Sequence, residues 1–308
     1  MLHRLLPIAL ACGRLGVAVV ALLSATSLAP AFGQSAPAAT GQLPLWEVSS
    51  GGNSIYLMGS VHLLRQDAYP LDPALYEAFD AARVVAFEVD LATAQAAAPM
   101  MMARGLFSDG NTLRSVLPSD LYADLNRRLA AYGLPPQAVE MMKPWMVGMT
   151  LNALALQRMG YSPEYGVDMH FFERARTAGK RVVGLETIEE QIEVFDGLTP
   201  DQQVALLEST LEEIDTASEM MDEISVIWSN GDVERLAELL NDSMKDHPEL
   251  MERVLYQRNR NWVPQIEALL RAGEPAIVIV GMGHMVGPGS VTALLRERGY
   301  EVTPVAPR

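Results

Sequence analysis

The sequence predicts an α/β fold: a mostly parallel central sheet with flanking helices, and two helical insertions that form a cap over the carboxyl-terminal edge of the strands. Three observations predict it. Short apolar runs rich in β-branched residues, of strand length, recur at residues 54–58, 83–87, 181–185 and 276–280. Helix-like stretches lie between them, one stopping at Gly179, and helix, glycine stop and strand in succession is the βαβ signature that implies parallel pairing. Finally, the first and last of these runs break at glycine and deliver a histidine three residues later, as Gly59-Ser-Val-His62 and Gly281-Met-Gly-His284. Ligands of open parallel sheets sit beyond the carboxyl ends of the strands, so two histidines remote in sequence are expected to meet there.

Taken in order, residues 1–33 combine a basic start (Arg4, Arg14), an apolar run over 15–28 and small residues before Gly33. This reads as a secretory signal peptide, which places the mature protein in the periplasm or outside the cell. The alternative is an uncleaved anchor, which would then be the chain's single membrane contact. Residues 34–42 are an Ala/Pro/Ser/Thr linker unable to build a core. Residues 43–308 form the α/β domain. Within it, 46–48 and 54–58 pair as a hairpin around Gly51-Gly52, and Asp72-Pro73 caps and opens a helix that buries Leu75, Phe79 and Ala82. Helical insertions occupy about 92–161 and 198–270, the first rich in methionine (Met100, Met101, Met102, Met141, Met142) as adaptable core filling. A buried strand at 276–280, a helix at 290–298 stopped by Gly299 and a strand at 300–305 close the domain.

Charge and cysteine content remove whole classes of function. The formal net charge of −15, with no local cluster of lysine and arginine, repels phosphate backbones and excludes nucleic acid as a partner. The single cysteine, Cys12, falls in the predicted signal peptide, so the mature chain has neither disulfide nor thiolate chemistry.

Glu88 and Glu186 each end an apolar strand, where a carboxylate must be exposed, paired with arginine or bound to a cation. Two imidazoles and a carboxylate suit a divalent metal with an open position, Mn, Co, Zn or Fe more than calcium. Asp168 precedes a helix, where an N-cap and a functional role are equally open, and His170 follows in the first turn with a surface or packing role. His247, before Pro248, is assigned to a surface loop. Arg258 and Trp262 lie one turn apart on one helix, either as plain helix surface or as a clamp for a substrate carbonyl.

These residues together, Gly59-Ser-Val-His62, Phe87-Glu88, Gly166-Val-Asp168, Leu185-Glu186-Thr with Gln191, Arg258-Asn259 with Trp262, and Gly281-Met-Gly-His284, resemble the TraB/GumN family. That family includes the Tiki-type metalloproteases and is more remotely similar to the erythromycin-esterase and ChaN-like group. The resemblance covers roughly residues 43–305, with Ser60 and Met285 as mild departures. It implies a metal-dependent hydrolytic centre built on the paired histidines, a glutamate and the Arg/Asn element. On this reading His62, Glu88 and His284 hold a divalent ion that activates water, Glu186 is a reserve ligand or general base, and Arg258 and Asn259 stabilise an oxyanion. The substrate is then a peptide or another small molecule. The alternative is a non-catalytic envelope protein binding a metal, a haem-like group or a polysaccharide in the same pocket.

Overall fold

The computed structural model describes residues 42–94, 97–244 and 248–307. The predicted signal peptide, nearly all of the linker, Cys12 and His247 lie outside the described residues. A six-stranded sheet runs in the order β4-β3-β5-β2-β1-β6, where β1 is Leu45–Ser50, β2 Asn53–Ser60, β3 Val84–Phe87, β4 Arg181–Gly184, β5 Ala276–Gly281 and β6 Glu301–Pro304. The four strands β4, β3, β5 and β2 are mutually parallel, and β1 and β6 add antiparallel pairs at one side. The fold is thus the mixed α/β class that the strand and helix pattern predicts.

The hairpin is longer than expected, and its turn explains why. Gly51 and Gly52 both take positive φ (60° and 90°), so the turn has only two residues and the strands pair right up to it. β5 lies between β3 and β2 and is buried over its whole length, as its unbroken run of Ala, Ile and Val requires. Helices cover both faces. Asp72 caps Pro73–Ala81 (α1), accepting from Ala74 N at 2.8 Å, as the Asp-Pro pair predicts. Val167–Thr177 (α3) lies near the apolar faces of β3 and α1, with Phe171 against Phe79 and Phe172 against Phe87.

The helices before and after β4 build two further cores away from the sheet. Pro144–Arg158 (α2) joins them, because it is apolar on nearly every side. Its Trp145, Met146 and Met149 pack with Ile192 and Phe195 of Ile188–Asp196 (α4). Its Val147, Leu151 and Ala155 pack with Leu207 and Leu211 of Pro200–Glu213 (α5). The methionines divide accordingly: Met101, Met146 and Met149 fill the second core, whereas Met102 and Met141 are exposed at 37% and 46%. Ala217–Asn230 (α6) fastens this layer to the sheet, its Trp228 Nε1 donating to Gly59 O at 3.0 Å. Gln257–Ala272 (α7) follows a π-helical turn, Glu252–Tyr256, and runs along the sheet from the carboxyl ends of the strands, where Arg258 meets Glu88, to their amino ends, where Leu270 O accepts from Asn53 Nδ2 at 3.2 Å; Val291–Glu297 (α8) packs on it. Among the described residues no helix is long and apolar enough to cross a membrane.

Candidate active site

Parallel pairing puts the ends of β2, β3, β4 and β5 on one rim, and the residues that follow them converge. His62, Glu88, Glu186 and His284 all arrive there, from segments more than 200 residues apart at the extremes. His284 is 0%, Glu88 1% and His62 4% exposed, so the cluster is a buried polar centre inside an apolar shell.

Glu88 is held by three donors aimed at one carboxylate. Gly281 N donates to Oε1 at 2.8 Å, Gln191 Nε2 to Oε2 at 3.1 Å and Arg258 Nη2 to Oε2 at 2.8 Å. Glu186 accepts from Arg258 Nε (3.0 Å) and Nη2 (2.6 Å) and from Trp262 Nε1 (3.1 Å). Burial nevertheless pushes the Glu186 pKa above the usual carboxylate value, with the Arg258 charge opposing that shift.

Each imidazole has a side-chain oxygen against its Nδ1. Asn259 donates through Nδ2 to Gly289 O at 2.9 Å, so its Oδ1, 2.6 Å from His284 Nδ1, accepts that ring's proton. His284 Nε2 then carries a lone pair, which faces Arg258 Nη1 at 3.1 Å. His62 Nδ1 stands 3.3 Å from Asp168 Oδ1, and its Nε2 stands 3.6 Å from Glu88 Oε1 across a gap too wide for a hydrogen bond. Asp168 is not the N-cap of α3; Gly166 is, and Asp168 sits in the first turn with its side chain turned to His62. His170, two residues on, faces away from the site and is half buried against Tyr69, Tyr76 and Phe171.

Burial pushes the His170 pKa from 6.5 down to about 4. Because the folded value lies below the unfolded one, the fold loses stability as the pH falls from 6.5 toward about 4, where charging the ring favours the unfolded chain. His170→Phe is expected to flatten that part of the stability curve, measured by urea unfolding at a series of pH values. An identical curve for the variant contradicts the assignment.

Glycines set the spacing of the site. Gly281 has φ −50°, open to any residue, but a Cβ there would lie 3.1 Å from His62 Nε2, 3.2 Å from Glu88 Oε1 and 3.6 Å from His284 Cδ2. It therefore keeps a space that the three side chains border. At Gly166 a Cβ would stand 2.3 Å from His62 O, so the loop carrying His62 closes on α3 only over glycine. At Gly59 it would strike the Met282 sulfur at 2.1 Å, which brings the two histidine loops together.

A divalent ion fits the donor chemistry of this centre. Glu88 and Glu186 share the Arg258 guanidinium, and Asp168 and Glu88 flank His62, so carboxylate oxygens and imidazole nitrogens of the kind a divalent ion takes lie together in a buried place. Ligands bonded at roughly 2.0–2.2 Å to one ion can stand as far apart as His62 Nε2 and Glu88 Oε1, at 3.6 Å. Among the described residues no three His, Cys, Asp or Glu side chains already stand as a metal-holding group.

Arg258 also differs from its predicted role. Its five N–H groups meet five protein acceptors: Glu186 twice, Glu88, Val254 O at 3.0 Å and His284. None of them points to a substrate, and both polar ends of the Asn259 amide are engaged within the protein as well. Trp262 lies against both the Arg258 guanidinium, at 4.7 Å, and the His284 ring, at 4.4 Å. A groove of about 770 Å³ opens beside this cluster, with Leu185, Glu186, Arg258, Trp262 and Gln265 on its wall. The supporting contacts of Asn259, Val254 and Gly289 were not legible in the sequence; the adjacency of Arg258 and Asn259 was the one available sign.

The uncharacterized protein YbaP of Escherichia coli is 26% identical over 248 residues, covering 80% of this chain and 89% of YbaP. Metalloprotease TIKI2 of Danio rerio is 24% identical over 304 residues, covering 82% of this chain, and metalloprotease TIKI1 of Homo sapiens is 24% identical over 310 residues, covering 84%. These matches span 58% and 61% of the two metalloproteases' own lengths. No solved structure matches the chain. The profile of the TraB/PrgY/gumN family matches residues 44–304, all six strands and the whole of the histidine–glutamate centre included, and the chain belongs to that family.

Proposed function

We propose that the protein is an exported, divalent-metal-dependent hydrolase that cleaves peptide bonds at the rim of its parallel strands. The observation that carries this reading is the buried cluster itself: His62 between Glu88 and Asp168, Arg258 against Glu88, Glu186 and His284, and Gly281 keeping a space between His62, Glu88 and His284. The distant likeness to proteins named as metalloproteases supports the reaction class. The signal-like start of the sequence supports export to the periplasm or beyond.

His62, Glu88 and His284 would hold the ion, which when bound supplies Lewis acidity to a carbonyl oxygen and to water. The chain's own groups do the rest. Asp168 and Asn259 fix the two rings through Nδ1, leaving Nε2 to face the centre. Gly281 N and Gln191 keep the Glu88 carboxylate from rotating. Glu186 lies on the groove wall with its pKa raised by burial, which suits it to take and return a proton. The groove lies within the ordinary size range of ligand sites and is where the peptide would lie.

Two outcomes are expected of substitutions. Asp168→Asn should weaken divalent-ion affinity about 10- to 100-fold, the usual effect of losing an outer partner of a ligating histidine, read by Co2+ titration. Gly281→Ala should leave the fold intact and remove metal-dependent cleavage, because its methyl group enters the space between the donors. The decisive assay is hydrolysis of a peptide library by the dialysed chain with Mn2+ or Co2+ restored, with a chelator, and with Gly281→Ala. Cleavage that survives both chelator and substitution defeats the proposal. Metal bound without any turnover would instead favour the ligand-binding alternative.

A further inference from the structure

Ser60 ends β2 with a hydroxyl that the protein interior leaves unused. The residue is 2% exposed, and among the described residues its Oγ has no hydrogen-bond partner. Burying a polar group without a partner costs stability, so a hydroxyl kept in that condition calls for a reason. The register of the sheet shows where it points. Ser60 pairs with Gly281 across the parallel ladder of β2 and β5. Directly paired residues on neighbouring strands, about 4.8 Å apart, send their side chains to the same face. A Cβ on Gly281 would enter the space bordered by His62 Nε2, Glu88 Oε1 and His284 Cδ2, so the Ser60 side chain leaves the sheet on that face, one strand over. Gly59, one residue earlier and therefore facing the other way, would place a Cβ against the Met282 sulfur instead.

The other donors around the centre are spent on the protein. Arg258 and the Asn259 amide are fully engaged. Gln191 Nε2 and Gly281 N both donate to Glu88, Trp262 Nε1 donates to Glu186, and His284 Nδ1 donates to Asn259 Oδ1. Amide hydrolysis needs a donor for the charge that it creates. Water adds to the carbonyl carbon, a C–O bond forms, and the π pair moves onto the carbonyl oxygen as an oxyanion, while the proton of the water passes to Glu186. The pair then returns, the C–N bond breaks, and that proton goes to the leaving nitrogen. We propose that the Ser60 hydroxyl is the donor that stabilises this oxyanion, its own proton held in the hydrogen bond and not transferred. The inference rests on the hydrolase reading of the centre and adds to it the catalytic residue that meets the substrate oxygen, a role that the engaged Arg258 and Asn259 cannot fill.

The test uses a peptide that the full chain cleaves and its phosphinic analogue, in which a tetrahedral phosphorus centre replaces the scissile amide carbon. Ser60→Ala is expected to lower kcat about 100- to 1000-fold, the usual cost of losing one oxyanion donor, with KM unchanged. Its affinity for the phosphinic peptide, read by calorimetry, should fall at least about tenfold, because that analogue carries the charge and shape that the hydroxyl meets only in the transition state. The circular dichroism spectrum should match that of the wild type. A Ser60→Ala chain that keeps the wild-type kcat overturns the proposal and leaves the hydrolase reading standing. So does a fall in kcat with unchanged affinity for the phosphinic peptide, which marks a purely structural role. A wild type that cleaves no peptide overturns both.

Discussion

His62→Ala is expected to lower divalent-ion affinity by more than about 100-fold and to abolish metal-dependent peptide hydrolysis. The lower bound follows from comparison within the site: loss of an outer partner such as Asp168 costs about 10- to 100-fold, and loss of the ligand that it orients must cost more. The ring sits between two buried carboxylates, its Nδ1 facing Asp168 and its Nε2 facing Glu88, so no neighbouring group can take its place. Its loop is held independently, by Val167 N on Val61 O and by Gly59 O on the Trp228 indole. The circular dichroism spectrum should therefore be unchanged while binding is lost. Co2+ titration of wild type and variant side by side, with a peptide cleavage assay on the same preparations, checks both halves. Undiminished cleavage by the variant removes the mechanism.

The second large effect concerns stability. Arg258→Ala is expected to destabilise the chain by about 3–5 kcal/mol, the range for breaking a buried ion pair by removing one partner. Arg258 satisfies four carboxylate, imidazole or carbonyl groups in the interior, and its removal leaves Glu88 and Glu186 facing each other without the cation between them. An exposed pair would lose far less: Arg127 with Asp124, on the surface of the helix Ser119–Ala131, belongs to the class worth at most about 1 kcal/mol. Urea unfolding measures the difference. A loss no larger than that of the surface pair would mean that water enters the centre and screens it. Co2+ should restore part of the lost stability, because an ion that binds only the folded chain shifts the equilibrium toward it.

How much of this could be read in advance follows from the range of the interactions involved. The strand ends were legible because each change from apolar residues to glycine or glutamate is local, so Gly59, Glu88, Glu186 and Gly281 mark the rim directly. Parallel pairing followed from the helices between strands, and it alone brings His62 toward His284. The strand order, with β5 inserted between β3 and β2, depends on contacts nearly 200 residues apart and left no local trace. The cap on α3 was ambiguous for a different reason. Aspartate satisfies an N-cap and a buried histidine equally well in sequence, and only the close approach of Gly166 to the His62 carbonyl decides between them. Arg258 was recognised as a cation near an aromatic ring, which holds, but its five engaged N–H groups could not be counted without knowing which carboxylates surround it. The exposed methionines, Met102 and Met141, show where core filling gives way to surface, a boundary that composition does not mark.

The central claim is that the two glycine-histidine loops and Glu88 form one cation site at the rim of the parallel strands. Anomalous diffraction from crystals of the chain saturated with Co2+ tests it most directly. The account predicts a single strong peak beside Gly281, within bonding distance of His62 Nε2, Glu88 Oε1 and His284 Nε2. No peak there at saturating Co2+ would contradict it.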